Sequence, residues 1–125
     1  MNHEVQTDKN GSAIGFAFHD GSLDGICLAG QRVSLTISST SNEQTTLRLE
    51  EVSLLVADEL RESNIINAIS IVSVADSERD APLRDRVKEK LLVEWPQVDK
   101  GALIFHLDCS YGVEIWALCR RVTRE

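Results

Sequence analysis

Apolar and polar residues alternate most regularly in the last twenty-five residues of the chain, and this alternation predicts a β-hairpin. Ser110, Tyr111 and Gly112 form the predicted loop, in which glycine takes a positive φ without the clash that a Cβ atom would cause. In this register Leu107 lies opposite Ile115, and one face of the hairpin is wholly apolar. Because a shift of one residue would scatter apolar side chains over both faces, the pattern predicts the pairing as well as the strands.

The second face of the same hairpin is half apolar and half polar. It would contain three cross-strand pairs: Ile104 with Leu118, His106 with Trp116, and Asp108 with Glu114. Because its apolar half is too large to face water alone, we expect either a helix or a second copy of the chain to cover it. In the second case Ile104, Trp116 and Leu118 would form the interface of a homodimer.

Three earlier segments predict a meander of antiparallel strands. Residues 23–29 and 32–38 alternate around Gly30 and Gln31, a pair that suits a two-residue turn, and this register places Ile26 opposite Leu35. A polar loop precedes residues 45–50, whose alternation would align Leu47 with Leu35. The other face of the first pair is largely polar, as expected of an antiparallel sheet with one face in water.

The segment 52–64 allows two interpretations. Apolar residues from Val52 to Leu60 recur at helical spacing, which favours a helix that ends near Asn64. The alternative is that residues 53–57 continue the sheet. The next segment, 65–74, is β-branched and apolar on both faces, which predicts a central strand covered on both sides.

Residues 81–95 have the clearest helical pattern in the chain. Asp80 suits the N-cap position, and Pro82 suits the first turn. Apolar residues then recur at intervals of four, namely Leu83, Val87, Leu91 and Trp95. Pro96 ends the predicted helix, and the apolar stripe requires a hydrophobic surface against which to pack.

These elements together predict an α+β fold. We expect a mostly antiparallel sheet, built from the meander and the C-terminal hairpin, that is curled or split into a sandwich, with one or two helices packed against it. Residues 1–12 are polar and are expected to form a flexible tail. Residues 13–125 have the length of a single domain.

Composition and charge narrow the classes of partner. The net charge of −7 disfavours nucleic acid and anionic membranes, and no apolar run approaches the ~20 residues that span a bilayer. A basic protein partner is compatible with this charge.

The N-terminal residues lack the features of a secretion signal, and the three cysteines form no CxxC pair, so we expect a cytoplasmic protein with reduced thiols. Of these, Cys27 on the polar face is the one candidate nucleophile, but its predicted neighbours offer no base.

Two clusters combine histidine with carboxylates. In the last hairpin, His106, Asp108 and Glu114 project from one face, and we weighed a site for a divalent ion against a solvated hairpin end without metal. The second cluster, His19, Asp20 and Asp24, lies at a turn before the first predicted strand. Neither spacing imposes a coordination geometry, so we predict no metal, no cofactor and no catalytic residues.

The same hairpin face offers a candidate interaction surface. We predict it from aromatic residues beside charges, as found at protein interfaces: His106, Asp108, Tyr111, Glu114 and Trp116. For Trp116 the alternative is a core position under the helix, since tryptophan is usually largely buried.

Two stretches resemble a family of small bacterial β-rich domains of uncharacterised function. These domains begin with an HD-x-x-L-x-x-I strand, matched here by His19, Asp20, Leu23 and Ile26, and end in a hairpin like that around Tyr111. Some similar chains are immunity proteins of toxin systems. The resemblance implies a bacterial, non-catalytic binding or regulatory domain that acts through protein–protein contact, with a protein partner or a second copy; a metal protein or enzyme that uses a His/Asp/Glu cluster is the alternative.

Overall fold

The computed structural model describes residues 3–91 and 98–125 of the chain. Within them the secondary structure is mostly short antiparallel strands with two helices, as predicted for the α+β class. The elements in chain order are β1 (His3–Glu4), β2 (Gln6–Thr7), β3 (Ala13–Ile14), β4 (Ser22–Ala29), β5 (Arg32–Ser38), β6 (Gln44–Glu50), β7 (Leu54–Asp58), β8 (Ile65–Ser73), α1 (Val74–Ser77), α2 (Ala81–Leu91), β9 (Leu103–Tyr111), β10 (Glu114–Cys119) and β11 (Arg121–Arg124).

One sheet holds most of the described strands, in the order β1-β11-β6-β5-β4-β8-β9-β10-β7, while β2 pairs separately with β3. The predicted meander is confirmed, because Leu35 lies opposite Ile26 on one side and opposite Leu47 on the other. The C-terminal hairpin is confirmed in its register as well. Leu107 faces Ile115, and Gly112 at the end of the loop has a φ of 102°.

The sheet bends back on itself at one corner. β10 and β11 are the eighth and second strands in the order, about 29 Å apart in a flat sheet at about 4.8 Å per strand. Yet only Arg120 separates them in the chain, a reach of about 7 Å between the flanking Cα atoms. The ladder continues through the bend, where Ser53 N donates to Leu118 O and Arg120 N donates to Glu50 O. Glu51 takes a φ of 53° there, as in strands that change sheets by a bulge.

This bend creates two hydrophobic cores on opposite faces of β8, β9, β10 and β7. The inner core packs the meander against the last hairpin, with Leu35 and Leu47 near Phe105 and Leu107. The outer core lies under α2 and its flanking residues: Val74, Val87, Leu91, Val98, Ala102, Ile104, Trp116 and Leu118. The central strand β8 contributes to both, as predicted.

The prediction for α2 is confirmed over the described part of the helix. Asp80 caps its N-terminus by accepting a hydrogen bond from Leu83 N at 3.2 Å. Val87 and Leu91 are buried against the hairpin face, and Leu83 is partly buried beside them. Trp95 and Pro96, which belong to the same prediction, lie outside the described residues.

The helix favoured for residues 52–64 is wrong, and the sheet alternative is correct. Residues Leu54–Asp58 form β7, which pairs with β10 along its length and places Val56 opposite Trp116. Pairing with β10 outweighs the helical spacing, because the bend after β6 leaves an edge of β10 that needs a partner. Asn64, predicted to end the helix, is instead buried in the loop before β8.

Residues 3–12, predicted as part of a flexible tail, lie on the sheet in the structure. β1 pairs with β11, and Gly11 O accepts a hydrogen bond from Ile71 N at 2.8 Å. Ser12 also forms an isolated bridge with Ser70. β4 pairs with β8 only at Ser22 and Ile65, so this segment supplies partners to a β8 edge that would otherwise be open.

Candidate functional site

The register of the last hairpin brings His106, Asp108 and Glu114 together beside α2. One ligand-type atom from each of the three lies within 4.8 Å of the others. His106 Nε2 and Glu114 Oε2 are 3.0 Å apart, and Asn67 Nδ2 donates to Asp108 Oδ2 at 3.1 Å. All three residues are partly buried rather than fully solvated. The predicted cluster therefore forms.

Trp116 lies beneath this cluster and is not exposed. Its ring stacks on the His106 imidazole, with 3.8 Å between centroids and an angle of 15° between the planes. The Arg86 guanidinium of α2 lies 5.2 Å from the centre of the Trp116 ring. Trp116 is 1% exposed, so it occupies the core position and not the interface position.

The burial of this face changes two expectations. Ile104 and Leu118 are 1% and 4% exposed, so the hairpin face is covered by α2 and is not available as a homodimer interface. The five residues predicted as one interaction surface also separate. His106, Asp108, Glu114 and Trp116 stay together, whereas Tyr111 lies away from them, opposite Ile65.

Hydrogen bonds set the charge state of Glu114. Burial alone would raise its pKa, but the hydrogen bond to His106, the nearby indole N–H of Trp116 and the Lys90 ammonium together outweigh burial, so the pKa lies below its usual 4.5. Lys90 Nζ lies 3.3 Å from Glu114 Oε1. Glu114 lies directly opposite Asp58 of β7, and two carboxylates in this position repel each other. The interactions of Glu114 with His106 and Lys90 offset this repulsion.

The neutral form of His106 predominates at neutral pH. Burial lowers its pKa below 6.5, and the nearby Arg86 lowers it further, while the hydrogen bond and charge of Glu114 act in the opposite direction with less effect. The neutral imidazole thus donates from Nε2 to the charged carboxylate of Glu114. The Trp116 indole N–H is close enough to help lower the pKa of Glu114, yet it is buried and meets no acceptor in hydrogen-bond geometry in the described part of the chain.

The second predicted cluster does not assemble. His19 Nε2 lies 3.6 Å from Asp20 Oδ1, and both side chains are well exposed. Asp24 instead accepts hydrogen bonds from the hydroxyls of Ser22 and Ser38. His19 Nδ1 lies 2.9 Å from the carbonyl oxygen of Asn67, the residue whose amide binds Asp108.

A separate surface lies at the tip of the last hairpin, and we call it the tip surface. It consists of Leu60, Arg61, Ile65 and Tyr111. Tyr111 is 48% exposed and lies directly opposite Ile65, which is 39% exposed. The Arg61 guanidinium lies 5.3 Å from the centre of the Tyr111 ring, and the neighbouring Leu60 is 59% exposed. Apart from Tyr111, none of these residues was predicted to lie on a surface patch. The favoured helix over 52–64 hid the loop that presents Leu60 and Arg61, and Ile65 was predicted to lie in a strand covered on both sides.

Asn64 holds this loop against the hairpin. Its Oδ1 accepts from Arg61 N at 3.1 Å and from Val113 N at 3.0 Å. Its Nδ2 donates to Arg61 O at 2.8 Å and to Leu23 O at 3.4 Å. The side chain is buried with all these partners, so the loop behind the tip surface is anchored to β4 and to the turn of the last hairpin. Nothing in the sequence pattern identifies this contact.

Acidic residues surround the tip surface. Asp58, Glu59 and Glu114 line one shallow depression next to Gly112, together with Lys90. Asp58, Glu59 and Glu62 form no ion pair within residues 3–91 and 98–125. By contrast, Arg120 is paired with Asp99, and Arg121 is paired with Glu4 and Glu50. Negative charge without an ion pair therefore lies beside the tip surface.

Two of the three cysteines, Cys109 and Cys119, are not activated thiols. Burial raises the pKa of Cys109 and of Cys119 to about 11 each, which disfavours the reactive thiolate. Cys27 is exposed, as predicted, and lies opposite Ser34.

Comparison of the chain with protein-family models, with curated proteins and with solved structures gives no match in any of the three. Among the described residues, neither helix has the length and apolar character needed to cross a bilayer.

Proposed function

We propose that this chain is a non-catalytic protein-binding domain whose tip surface docks a basic protein. The observation that carries the proposal is the exposed pair of Tyr111 and Ile65 with Arg61 over the tyrosine ring. Tyrosine and arginine are the residues in which binding energy concentrates at protein interfaces, and apolar centres with polar rims are the usual anatomy.

The charge around this surface favours a basic partner over a second copy. The chain carries a net charge of −7, and Asp58, Glu59 and Glu62 flank the surface without ion pairs in the described ranges. Two copies brought together here would repel each other, whereas a basic protein would be attracted and oriented on approach.

The rigid support of the surface favours recognition without rearrangement. Tyr111 and Ile65 belong to paired strands, and Asn64 fixes the loop that carries Leu60 and Arg61. Preorganised side chains lose little entropy on binding. The resemblance to toxin immunity domains extends the proposal to a specific kind of partner, a basic toxin in a bacterial cytoplasm.

Photocrosslinking in the native cell tests the proposal. A photoreactive phenylalanine analogue at Tyr111 should give one discrete adduct with a basic protein. The matched control is the same analogue at Leu28, which is 64% exposed at the opposite end of β4. The proposal fails if position 111 gives no adduct, or the same adducts as position 28.

A further inference from the structure

We infer that His106, Asp108 and Glu114 form a binding site for a divalent transition-metal ion, separate from the tip surface. One imidazole nitrogen and two carboxylate oxygens suit an ion such as Zn²⁺, which accepts both kinds of ligand. All three residues come from β9 and β10, so a single rigid hairpin positions every ligand.

The distances fit coordination with a small adjustment. Two metal–ligand bonds of about 2.1 Å that meet at 90° to 110° place their ligand atoms about 3.0 to 3.4 Å apart. His106 Nε2 and Glu114 Oε2 are 3.0 Å apart. Asp108 contributes an oxygen within 4.8 Å of both, on a side chain at the partly buried edge of the cluster. A metal ion would replace the hydrogen bond between His106 and Glu114, and the imidazole proton would then reside on Nδ1.

The surroundings supply the hydrogen bonds that metal-binding carboxylates require. Ligating carboxylates are themselves held by outer donors. Asn67 already donates to Asp108 at 3.1 Å, which leaves the other Asp108 oxygen for a metal. For Glu114, the available donor is the indole N–H of Trp116, which is 1% exposed, close to the carboxylate and without a partner in the part of the chain that the structure describes.

This unpartnered N–H is an observation independent of the cluster. A buried donor normally finds an acceptor, and an exception requires an explanation. Lys90 holds one Glu114 oxygen at 3.3 Å in the structure. If a metal ion displaced Lys90 and drew Glu114 toward His106 and Asp108, the carboxylate would be free to accept a hydrogen bond from the indole N–H of Trp116. The His106 ring is already oriented by its stacking on Trp116.

Calorimetric titration of the full chain with ZnCl₂, after treatment with a chelator, tests the inference. We expect one ion per chain, and affinity at least about tenfold weaker in Asp108→Asn and Glu114→Gln, since each removes a charged ligand. Asp20→Asn, beside the exposed His19, is the matched control and should bind as the wild type does. Lys90→Met should bind more tightly, because it removes the competing cation.

Cobalt provides a readout that does not depend on stability. In a Trp95→Phe background Trp116 is the sole tryptophan, and Co²⁺ bound beside its stacked ring should quench its fluorescence with the stoichiometry of zinc binding. Absence of zinc binding by the folded wild type would overturn the inference. Equal affinity in Asp108→Asn and wild type, or the same loss in Asp20→Asn, would do so as well.

Discussion

The side chain of Asn64 lies directly against Gly112, so that a Cβ atom added at position 112 would fall 3.0 Å from the Asn64 Cα and closer still to its Oδ1. Gly112 also takes a φ of 102°, which side chains rarely tolerate. One contact therefore joins the hairpin tip to the loop that presents Leu60 and Arg61.

Replacement of Gly112 by alanine should destabilise the fold by about 3 kcal/mol, since backbone strain adds to the displacement of Asn64. Gly30→Ala is the matched control. Gly30 has a φ of 62°, but an added Cβ there meets open space, so the loss should be about 1 kcal/mol. Urea unfolding measures both. A loss for Gly112→Ala no larger than for Gly30→Ala would show that the Asn64 contact contributes nothing.

Asn64→Asp should cost about 3 kcal/mol, because the buried amide donates two hydrogen bonds that a carboxylate cannot make. Asn67→Ala is the comparison, since Asn67 is exposed and its amide donates to the partly buried Asp108, and it should change stability by less than about 0.5 kcal/mol. Equal losses in the two variants would contradict the anchoring role of Asn64.

The pH dependence of stability should report on His106. Its pKa in the folded chain lies below the ordinary 6.5, so the unfolded chain binds the proton more readily, and stability should fall as the pH drops below about 6.5. The pKa of Glu114 is lowered too, so its contribution should be lost below about 4.5. Urea unfolding between pH 5 and pH 8, in the presence of a chelator, measures the first effect.

His106→Gln should flatten the stability profile near pH 6, whereas His19→Gln, at an exposed position, should leave it unchanged. Stability that rises as the pH falls through 6.5 would contradict the direction given for His106.

The packing of α2 over the hairpin face predicts a further pair of results. Val87 is fully buried in the outer core, so Val87→Ala should cost about 2 kcal/mol. In the Trp95→Phe background it should also expose Trp116 to quenching by acrylamide. Glu89→Ala, on the solvent side of the same helix, should change neither quantity. Unchanged quenching in Val87→Ala would mean that α2 does not shield Trp116.

Local patterns predicted the fold where turn residues and strict alternation agreed. The registers around Gly30 and Gly112 follow from the turn chemistry and from the need to keep one face apolar. β7 was mispredicted because the apolar residues between Val52 and Leu60 satisfy helical spacing as well, and only the distant pairing with β10 decides between the two. The contacts of residues 3–12 have no local signal for a similar reason, since their partners are the distant strands β11 and β8.

The candidate sites were predictable to the extent that they depend on hairpin register. Register alone places His106, Asp108 and Glu114 together. The roles of Lys90 and Arg86 depend on how α2 crosses the hairpin, and that crossing is a tertiary contact without a local signature. Tyr111 was assigned to the same patch as Trp116, although the hairpin places one in solvent and the other under a helix.

The most direct test of the proposed function is calorimetric titration of the partner captured at position 111 against the wild type, Tyr111→Ala and Leu28→Ala. Loss of a central aromatic contact should weaken binding at least about 30-fold, which corresponds to about 2 kcal/mol. Leu28→Ala should change the dissociation constant less than about twofold, because Leu28 lies far from the tip surface. Equal affinities for the wild type and Tyr111→Ala would contradict a binding role for the tip surface.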